Sequence, residues 1–188
     1  MMKKLINLLL RPLIHWAYPQ FKRQKGYTSY SAVFKRYFFM QKIVGINRRI
    51  PWPVHYTSVV GDWRLIEKGI CCDPGDTMGT YIQAAGGLKF GNNVNIGPYV
   101  VIVTTNHDKY DDRKRGFKRG IVIGNNVWIG AHCTITAGVA IGDNVTIGAG
   151  CVIRHDIPSN VVVVGKSDCL ELIPKRAYEW DCTQDELM

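Results

Sequence analysis

The sequence predicts an all-β protein whose core is a parallel β-helix of six-residue blocks. Two observations predict it. A large apolar residue opens a block every six positions from Phe90 onward, and turn-forming residues follow it, as in IGNNVW and IGDNVT. One face of an α-helix needs apolar residues three or four positions apart, so a period of six excludes that structure. The period fits a prism in which each block is one short strand and one corner, and three blocks complete a turn.

Two positions of each block are predicted to face the interior of the prism. The first is always aliphatic or aromatic, and the fifth is nearly always small and apolar. The first positions are Phe90, Ile96, Ile102, Ile123, Ile129, Ile135, Ile141, Ile147 and Ile153, and the fifth positions are Val94, Val100, Val127, Cys133, Val139, Val145, Cys151 and Ile157. Gly, Asn and Asp after each opening residue supply corner conformations that other residues resist.

The register breaks once, between Ile102 and Ile123, which are 21 positions apart instead of a multiple of six. The interruption at residues 108–120 reads DKYDDRKRGFKRG and is charged throughout, with no apolar period. We therefore predict that it leaves the prism as a loop. Its charge alone fits a solvated excursion, and the alternative is a loop that forms one wall of a site.

Charge divides the chain into two parts. Residues 1–61 carry 11 Lys and Arg and no acid, whereas residues 62–188 carry 13 basic and 15 acidic residues. A uniformly basic, nucleic-acid-binding surface is therefore excluded. The first part contains two helical patterns, KLINLLLRPLIHWAY, interrupted by Pro12, and YSAVFKRYFFMQKIV. They either pack on the β-helix with their cations pointing outward, or anchor the chain on anionic lipid.

The six cysteines include no C-x-x-C pair, so we predict free thiols in a reducing cytoplasm and no structural zinc. The first apolar run is too short for a signal peptide or a membrane span. We expect a cytoplasmic protein, with peripheral contact to the inner face of the cell membrane as the alternative. The predicted units are a basic aromatic segment at 1–61, the β-helix domain at 62–174 with its loop at 108–120, and a tail at 175–188.

The string IGNNVWIGAHCTITAGVAIGDNVTIGAGCVI resembles the hexapeptide-repeat acyltransferases, and the resemblance runs from about Ile66 to Pro174. NIGPYVVIVTTNHD, NNVWIGA, IGAGCVIRHDIP and VVVVGK resemble the branch that acetylates sugars, which includes galactoside, maltose and capsule or exopolysaccharide acetyltransferases. The resemblance implies a left-handed β-helix and a homotrimer with its donor site between subunits. It also implies acetyl-CoA as the acetyl donor and no required metal.

The resemblance implies that His107, in TTNHD, is the general base. An imidazole with a pKa near 6.5 can take the proton of a sugar hydroxyl as that hydroxyl attacks the thioester. Asn106 is a candidate for positioning the acceptor or the base, and Asp108 for orienting the ring. A covalent acetyl-cysteine is not expected, because Cys133 and Cys151 both occupy the inward fifth position of a block.

Trp128, in NNVWIGA, occupies an outward position, where its large apolar surface would be exposed to water unless a ligand or another chain covers it. A neighbouring subunit could cover it. The resemblance instead implies that Trp128 lies beside the acetyl donor, either its pantetheine arm or the reacting centre. It further implies that the backbone of Ala131 and Ala149 binds the pantetheine amides. Arg154 and Lys166 are candidates for the phosphates of coenzyme A.

The chain departs from its relatives at two places. After the valine run it reads GKSDC, where the family has a glycine followed by N-P-A. Galactoside and maltose acetyltransferases carry a sugar-binding aspartate in the coil before the histidine, and that position falls on Ala84, with Tyr81 or Gln83 as substitutes. Zinc, as in the hexapeptide carbonic anhydrases, is not expected, because the partner that His132 would need is Ala137.

Together these observations predict an acetyl-CoA-dependent O-acetyltransferase that acts by direct transfer on a sugar or glycolipid, in surface-polysaccharide synthesis. Because the acceptor aspartate is absent, a polysaccharide or glycolipid building block is favoured over a free galactoside or maltose. A xenobiotic acetyltransferase that inactivates an antibiotic is the alternative enzyme. A non-catalytic β-helix scaffold is the alternative outside enzymes, and TTNHD together with NNVWIGA argues against it.

Overall fold

The computed structural model describes residues 2–107, 115–165 and 170–174. Helix α1 spans Met2–Ala17, and α2 spans Tyr30–Val33 and continues as a π-helix over Phe34–Val44. A 3₁₀ turn follows at Trp63–Leu65. Most of the remaining described chain forms short strands connected by tight corners.

The strands form three sheets and one hairpin. Sheet 1 contains β1 (Val59–Gly61), β3 (Tyr81–Gln83), β6 (Val101–Val103), β11 (Thr134–Ile135) and β14 (Val152–Ile153). Sheet 2 contains β2 (Ile66–Glu67), β4 (Leu88–Phe90), β9 (Ile121–Ile123) and β12 (Ala140–Ile141). Sheet 3 contains β5 (Val94–Ile96), β10 (Val127–Ile129), β13 (Thr146–Ile147), β15 (Val161–Gly165) and β16 (Leu170–Pro174). The hairpin contains β7 (Thr105–His107) and β8 (Arg115–Lys118).

The three sheets are the sides of a triangular prism, because the chain visits sheets 1, 2 and 3 in the same order on each turn. Neighbours within a sheet are parallel, except where β16 folds back against β15. Trp128 pairs with Thr146, an offset of 18 residues, which confirms the predicted three blocks per turn. Val94 pairs with Val127, an offset of 33, so 15 residues leave the prism between them.

The predicted interior is confirmed. Every residue assigned to the first or fifth position of a block is buried, with at most 6% of its surface exposed, and these side chains form one continuous core. Ile50, Trp52 and Val54 close the core at its first coil. The four described cysteines are free, as predicted, and all four are buried, while Cys169 and Cys182 lie outside the described residues.

The corners turn at the fourth residue of the block, which adopts a left-handed backbone conformation. Most of these residues are Asn or Gly, the types that tolerate positive φ best. Side chains stack from coil to coil there: Asn93 Nδ2 donates to Asn126 Oδ1, and Asn144 Nδ2 donates to Asn160 Oδ1, both over 2.8 Å. These ladders give the buried amides partners and tie neighbouring coils together.

Glycine at the second position of a block lets successive coils approach. A Cβ added at Gly130 would lie 2.6 Å from the backbone nitrogen of Ala149 in the next coil, whereas one at Gly150 would meet nothing within 4 Å. We expect Gly130→Ala to lower the free energy of unfolding by about 1–3 kcal/mol through overpacking, measured by urea denaturation. Gly150→Asn is the control and should be nearly neutral, because Asn fills this corner position elsewhere. Equal losses in both variants would contradict this account.

Residues 2–44 form a second small core beside the prism. Ile14 and Ala17 of α1 pack against Tyr30, Val33 and other aromatic side chains. This packing corrects one prediction: α1 runs unbroken through Pro12 instead of being interrupted there. A proline inside a helix costs about 3 kcal/mol, and tertiary contacts on the packed face outweigh that cost. No helix in the described ranges is long and apolar enough to cross a bilayer.

Candidate active site

His107 ends strand β7 of a hairpin that stands apart from the three sheets. The hairpin leaves sheet 1 after β6 and returns to sheet 2 at β9, so it emerges at the corner between those sheets. Thr105 pairs with Lys118 and the backbone of His107 with Arg115. This geometry confirms that the chain leaves the prism here, although the excursion begins before residue 108. Asn106 is exposed, and Asp108 lies outside the described residues.

Thr104 ties both ends of this hairpin to the prism. It is fully buried, and its N–H donates to the backbone oxygen of Gln83 over 3.0 Å. Its Oγ1 accepts from the N–H of Gly86 over 2.7 Å, and its carbonyl accepts from the N–H of Arg119 over 2.9 Å. A residue three positions before His107 therefore holds the hairpin's base. Sequence reasoning missed Thr104, because its burial depends on the hairpin folding over it.

The predicted acceptor residues differ in what they contact. The side-chain oxygen of Gln83 accepts from the N–H of Thr104 over 3.2 Å, so this residue supports the hairpin. Tyr81 is partly exposed on the outward face of β3. Ala84, the position where the family resemblance predicts a sugar-binding residue, is fully buried in the core. Its side chain therefore cannot reach a sugar on the surface.

Trp128 is 55% exposed in the middle of β10 on sheet 3, which confirms its outward position. It lies between Asn95 and Thr146 of the neighbouring strands. Both are small polar residues that leave the indole open to solvent. A flat exposed indole of this kind can cover an apolar portion of a ligand or of a neighbouring chain.

The chain turns from sheet 3 to sheet 1 directly after Trp128, at a corner of small residues. Ala131 and Ala149 are stacked there in successive coils, and the N–H of Gly150 donates to the Ala131 oxygen over 2.9 Å. Both alanines are at least partly exposed. The structure therefore brings the two predicted pantetheine contacts together at a corner that is not buried.

Arg154 is exposed and follows β14, which places it at the corner between sheets 1 and 2. This is the corner from which the His107 hairpin emerges, and not the corner of Ala131 and Ala149. Lys166, the other predicted phosphate contact, lies outside the described residues. Within one copy of the chain, Arg154 is therefore grouped with the hairpin rather than with Trp128.

In a triangular prism, the corner between sheets 1 and 2 lies opposite sheet 3. The hairpin of His107 and the strand of Trp128 are consequently on opposite sides of the molecule, with the core between them. A site that uses both residues requires two copies of the chain, each contributing one of them.

The described cysteines do not provide an accessible nucleophile. Burial raises the pKa of the Cys133 and Cys151 thiols, which lowers the fraction of reactive thiolate. Cys133 Sγ also donates to the Gly148 oxygen over 3.0 Å. Among the residues placed by the structure, no three His, Cys, Asp or Glu side chains converge as metal ligands. His132 instead stacks on Tyr99 of the preceding coil, with ring centroids 4.9 Å apart.

Comparison with known proteins gives the class to which this fold and surface correspond. A family model described as bacterial transferase hexapeptide (six repeats) matches residues 120–155. A galactoside acetyltransferase solved in complex with coenzyme A is 30% identical, with a TM-score of 0.52, and the match covers 66% of this chain and 68% of that one. The chain belongs to the hexapeptide-repeat transferases.

Two curated relatives within that class are galactoside O-acetyltransferases. The protein of Escherichia coli (strain K12) is 50% identical over 81 residues, which are 42% of this chain and 40% of the relative. The protein of Lactococcus lactis subsp. lactis (strain IL1403) is 46% identical over 78 residues, 40% of this chain and 38% of the relative. The chain thus matches about 40% of the length of these relatives.

Proposed function

We propose that the protein is an acetyl-CoA-dependent O-acetyltransferase that moves an acetyl group to a sugar hydroxyl. The observation that carries the proposal is the 50% identity to a galactoside O-acetyltransferase over 81 residues. The exposed indole of Trp128 and the small-residue corner beside it support the same activity, since they offer a surface for an extended thioester. The proposal includes the left-handed turn that the family resemblance implies for the prism.

His107 is proposed as the general base. It takes the proton of the acceptor hydroxyl while that oxygen attacks the thioester carbonyl, and the thiolate of coenzyme A leaves. Backbone N–H groups at a coil corner stabilise the oxyanion that forms. Asn106 positions the acceptor, and Asp108 orients the imidazole. Transfer is direct, which agrees with the burial of the described cysteines.

The active unit is proposed to be a homotrimer. Trp128 and His107 lie on opposite sides of one prism, so each site combines the hairpin of one copy with sheet 3 of the next. Ala131 and Ala149 bind the pantetheine amides, and Arg154 and Lys166 bind the phosphates of the donor. The location is proposed as cytoplasmic, in keeping with the four cysteines that the structure describes, which form no disulfide with one another.

The proposed acceptor is a polysaccharide or glycolipid building block. Ala84 is buried where galactoside and maltose enzymes carry their sugar-binding aspartate, so a different surface must hold the sugar. Tyr81 is the predicted contact that presents an exposed side chain. A stacking aromatic suits a sugar ring whose faces are apolar.

Calorimetric titration with acetyl-CoA tests the proposal. We expect binding in the micromolar range, and Trp128→Ala should weaken it about tenfold or more by removing the apolar cover of the donor. Trp16→Ala is the matched control, because Trp16 is also exposed but belongs to α1. It should leave the affinity unchanged. Failure of the folded protein to bind acetyl-CoA would exclude this enzyme and leave a scaffold or a transferase with another acyl donor.

A further inference from the structure

Helix α1 is held to the protein along one face. Its buried Ile14 and Ala17 belong to the small helical core. Polar contacts secure the same side of the helix: Asn7 Oδ1 accepts from the N–H of Ser31 over 2.9 Å, and His15 Nε2 lies 3.1 Å from the hydroxyl of Tyr30. These contacts span two turns of α1 and fix which of its faces points outward.

The opposite face of α1 carries an apolar stripe, consisting of Met2, Leu5, Leu9 and Trp16. Their spacings of three, four and seven residues place them on one side of a helix. Each is between 57% and 78% exposed. Leu8, at 65%, widens the stripe. Most exposed apolar residues of soluble proteins are scattered, so a continuous stripe on a fixed helix indicates a surface that is covered in use.

Cations accompany the stripe, and no acid does. Lys3, Lys4 and Arg11 lie on α1 itself, and residues 1–61 as a whole contain 11 Lys and Arg without Asp or Glu. The two ion pairs found within the described ranges join residues 67, 68, 73 and 89 and so involve none of these cations. Cations in the first turn oppose the helix dipole, so helix stability does not account for Lys3 and Lys4.

We infer that α1 lies in the plane of an anionic lipid surface, with the apolar stripe among the acyl chains and the cations at the phosphates. Sixteen residues of helix are roughly 24 Å long, shorter than the apolar layer, and the helix carries three full charges. Both features agree with a helix that lies on the bilayer rather than across it. The inference stands on the stripe and the charge, independently of the proposed acetyl transfer.

A second copy of the same segment is a poorer cover for the stripe. Two copies joined through this stripe would bring together two segments that each carry 11 Lys and Arg and no acidic residue to pair with them. A bilayer containing phosphatidylglycerol offers negative charge and an apolar layer together. Charge complementarity therefore favours lipid.

Cosedimentation of the full chain with vesicles tests this inference. We expect binding to phosphatidylcholine vesicles that contain phosphatidylglycerol, little binding to pure phosphatidylcholine, and weaker binding as salt is raised. Leu5→Ser with Leu9→Ser should reduce binding at least tenfold. Lys4→Gln with Arg11→Gln should reduce it about fivefold for each cation removed. Leu65→Ser is the control, since Leu65 is a similarly exposed leucine, at 51%, in the 3₁₀ turn.

The remaining outcomes each overturn the inference. The inference is wrong if the folded wild-type protein does not bind vesicles that contain phosphatidylglycerol. It is also wrong if the protein binds these vesicles and pure phosphatidylcholine vesicles equally. Loss of binding in Leu65→Ser as large as that in the stripe variant shows that the surface is not specific. If vesicles are not bound and the stripe variant lowers the mass of the particle in sedimentation velocity, a second copy covers the stripe instead. Circular dichroism confirms that each variant is folded.

Discussion

Lys68→Met is expected to lower the free energy of unfolding by about 3–5 kcal/mol, because it leaves a buried carboxylate without its counter-charge. Lys68 Nζ lies 3.2 Å from Asp73 Oδ1, with the two side chains only 3% and 2% exposed. Burial raises the pKa of Asp73, and Lys68 opposes that rise. The hydroxyl of Tyr27 adds a long contact to Asp73 Oδ2 at 3.4 Å. This cannot replace a full charge.

The pH dependence of this variant has a definite sign. Without Lys68 the pKa of Asp73 rises further above its value in the unfolded chain. A carboxyl with a raised native pKa is stabilising when protonated, so stability is lost as the pH rises through its titration. The difference in the free energy of unfolding between the wild type and Lys68→Met should therefore be smaller in acid and larger towards neutral pH.

Urea denaturation at several pH values measures the effect, and a second ion pair provides the control. Lys89 Nζ lies 3.7 Å from Glu67 Oε2 with the side chains 65% and 76% exposed. Exposed pairs are worth roughly 0–1 kcal/mol, so Lys89→Met should be almost neutral. Adding Asp73→Asn to Lys68→Met should recover much of the loss, because the unpaired charge of Asp73 is removed. A loss in Lys68→Met no greater than that in Lys89→Met would contradict the buried pair.

His107→Ala is expected to reduce turnover of acetyl-CoA by about 10²–10⁴-fold, the usual contribution of a general base. Binding of acetyl-CoA should persist, because the hairpin of His107 and the proposed donor surface around Trp128 come from opposite sides of the prism. The wild-type rate should rise with pH as the imidazole loses its proton, and the residual activity of the variant should lack that step.

Steady-state kinetics with a sugar acceptor, combined with calorimetry, separates these effects. His155→Ala is the matched control, since His155 is exposed after β14 and has no proposed role. It should retain full turnover. Unchanged turnover in His107→Ala would remove this residue as the base while leaving the donor site intact. Loss of donor binding in the same variant would instead indicate that the hairpin contributes to that site.

The sequence alone was enough to predict the prism and its interior. The reason is physical: a large apolar residue every six positions can be buried only if each block is one strand and one corner. The residues of each block therefore determine which of its side chains face the interior. Ile129 and Cys133, for example, are assigned to the core by their register alone, and both are fully buried. The outward position of Trp128 follows from the same register.

The tertiary structure decided what depends on residues far apart in the chain. Helix α1 continues through Pro12 because its packed face meets Tyr30 and Val33. The hairpin of His107 is anchored at Thr104 because Gln83, 21 positions away, provides partners for its backbone. The separation of His107 from Trp128 likewise emerges only when the blocks are wound into three sheets. Local spacing determines which way a side chain points, whereas contacts between coils determine which side chains meet.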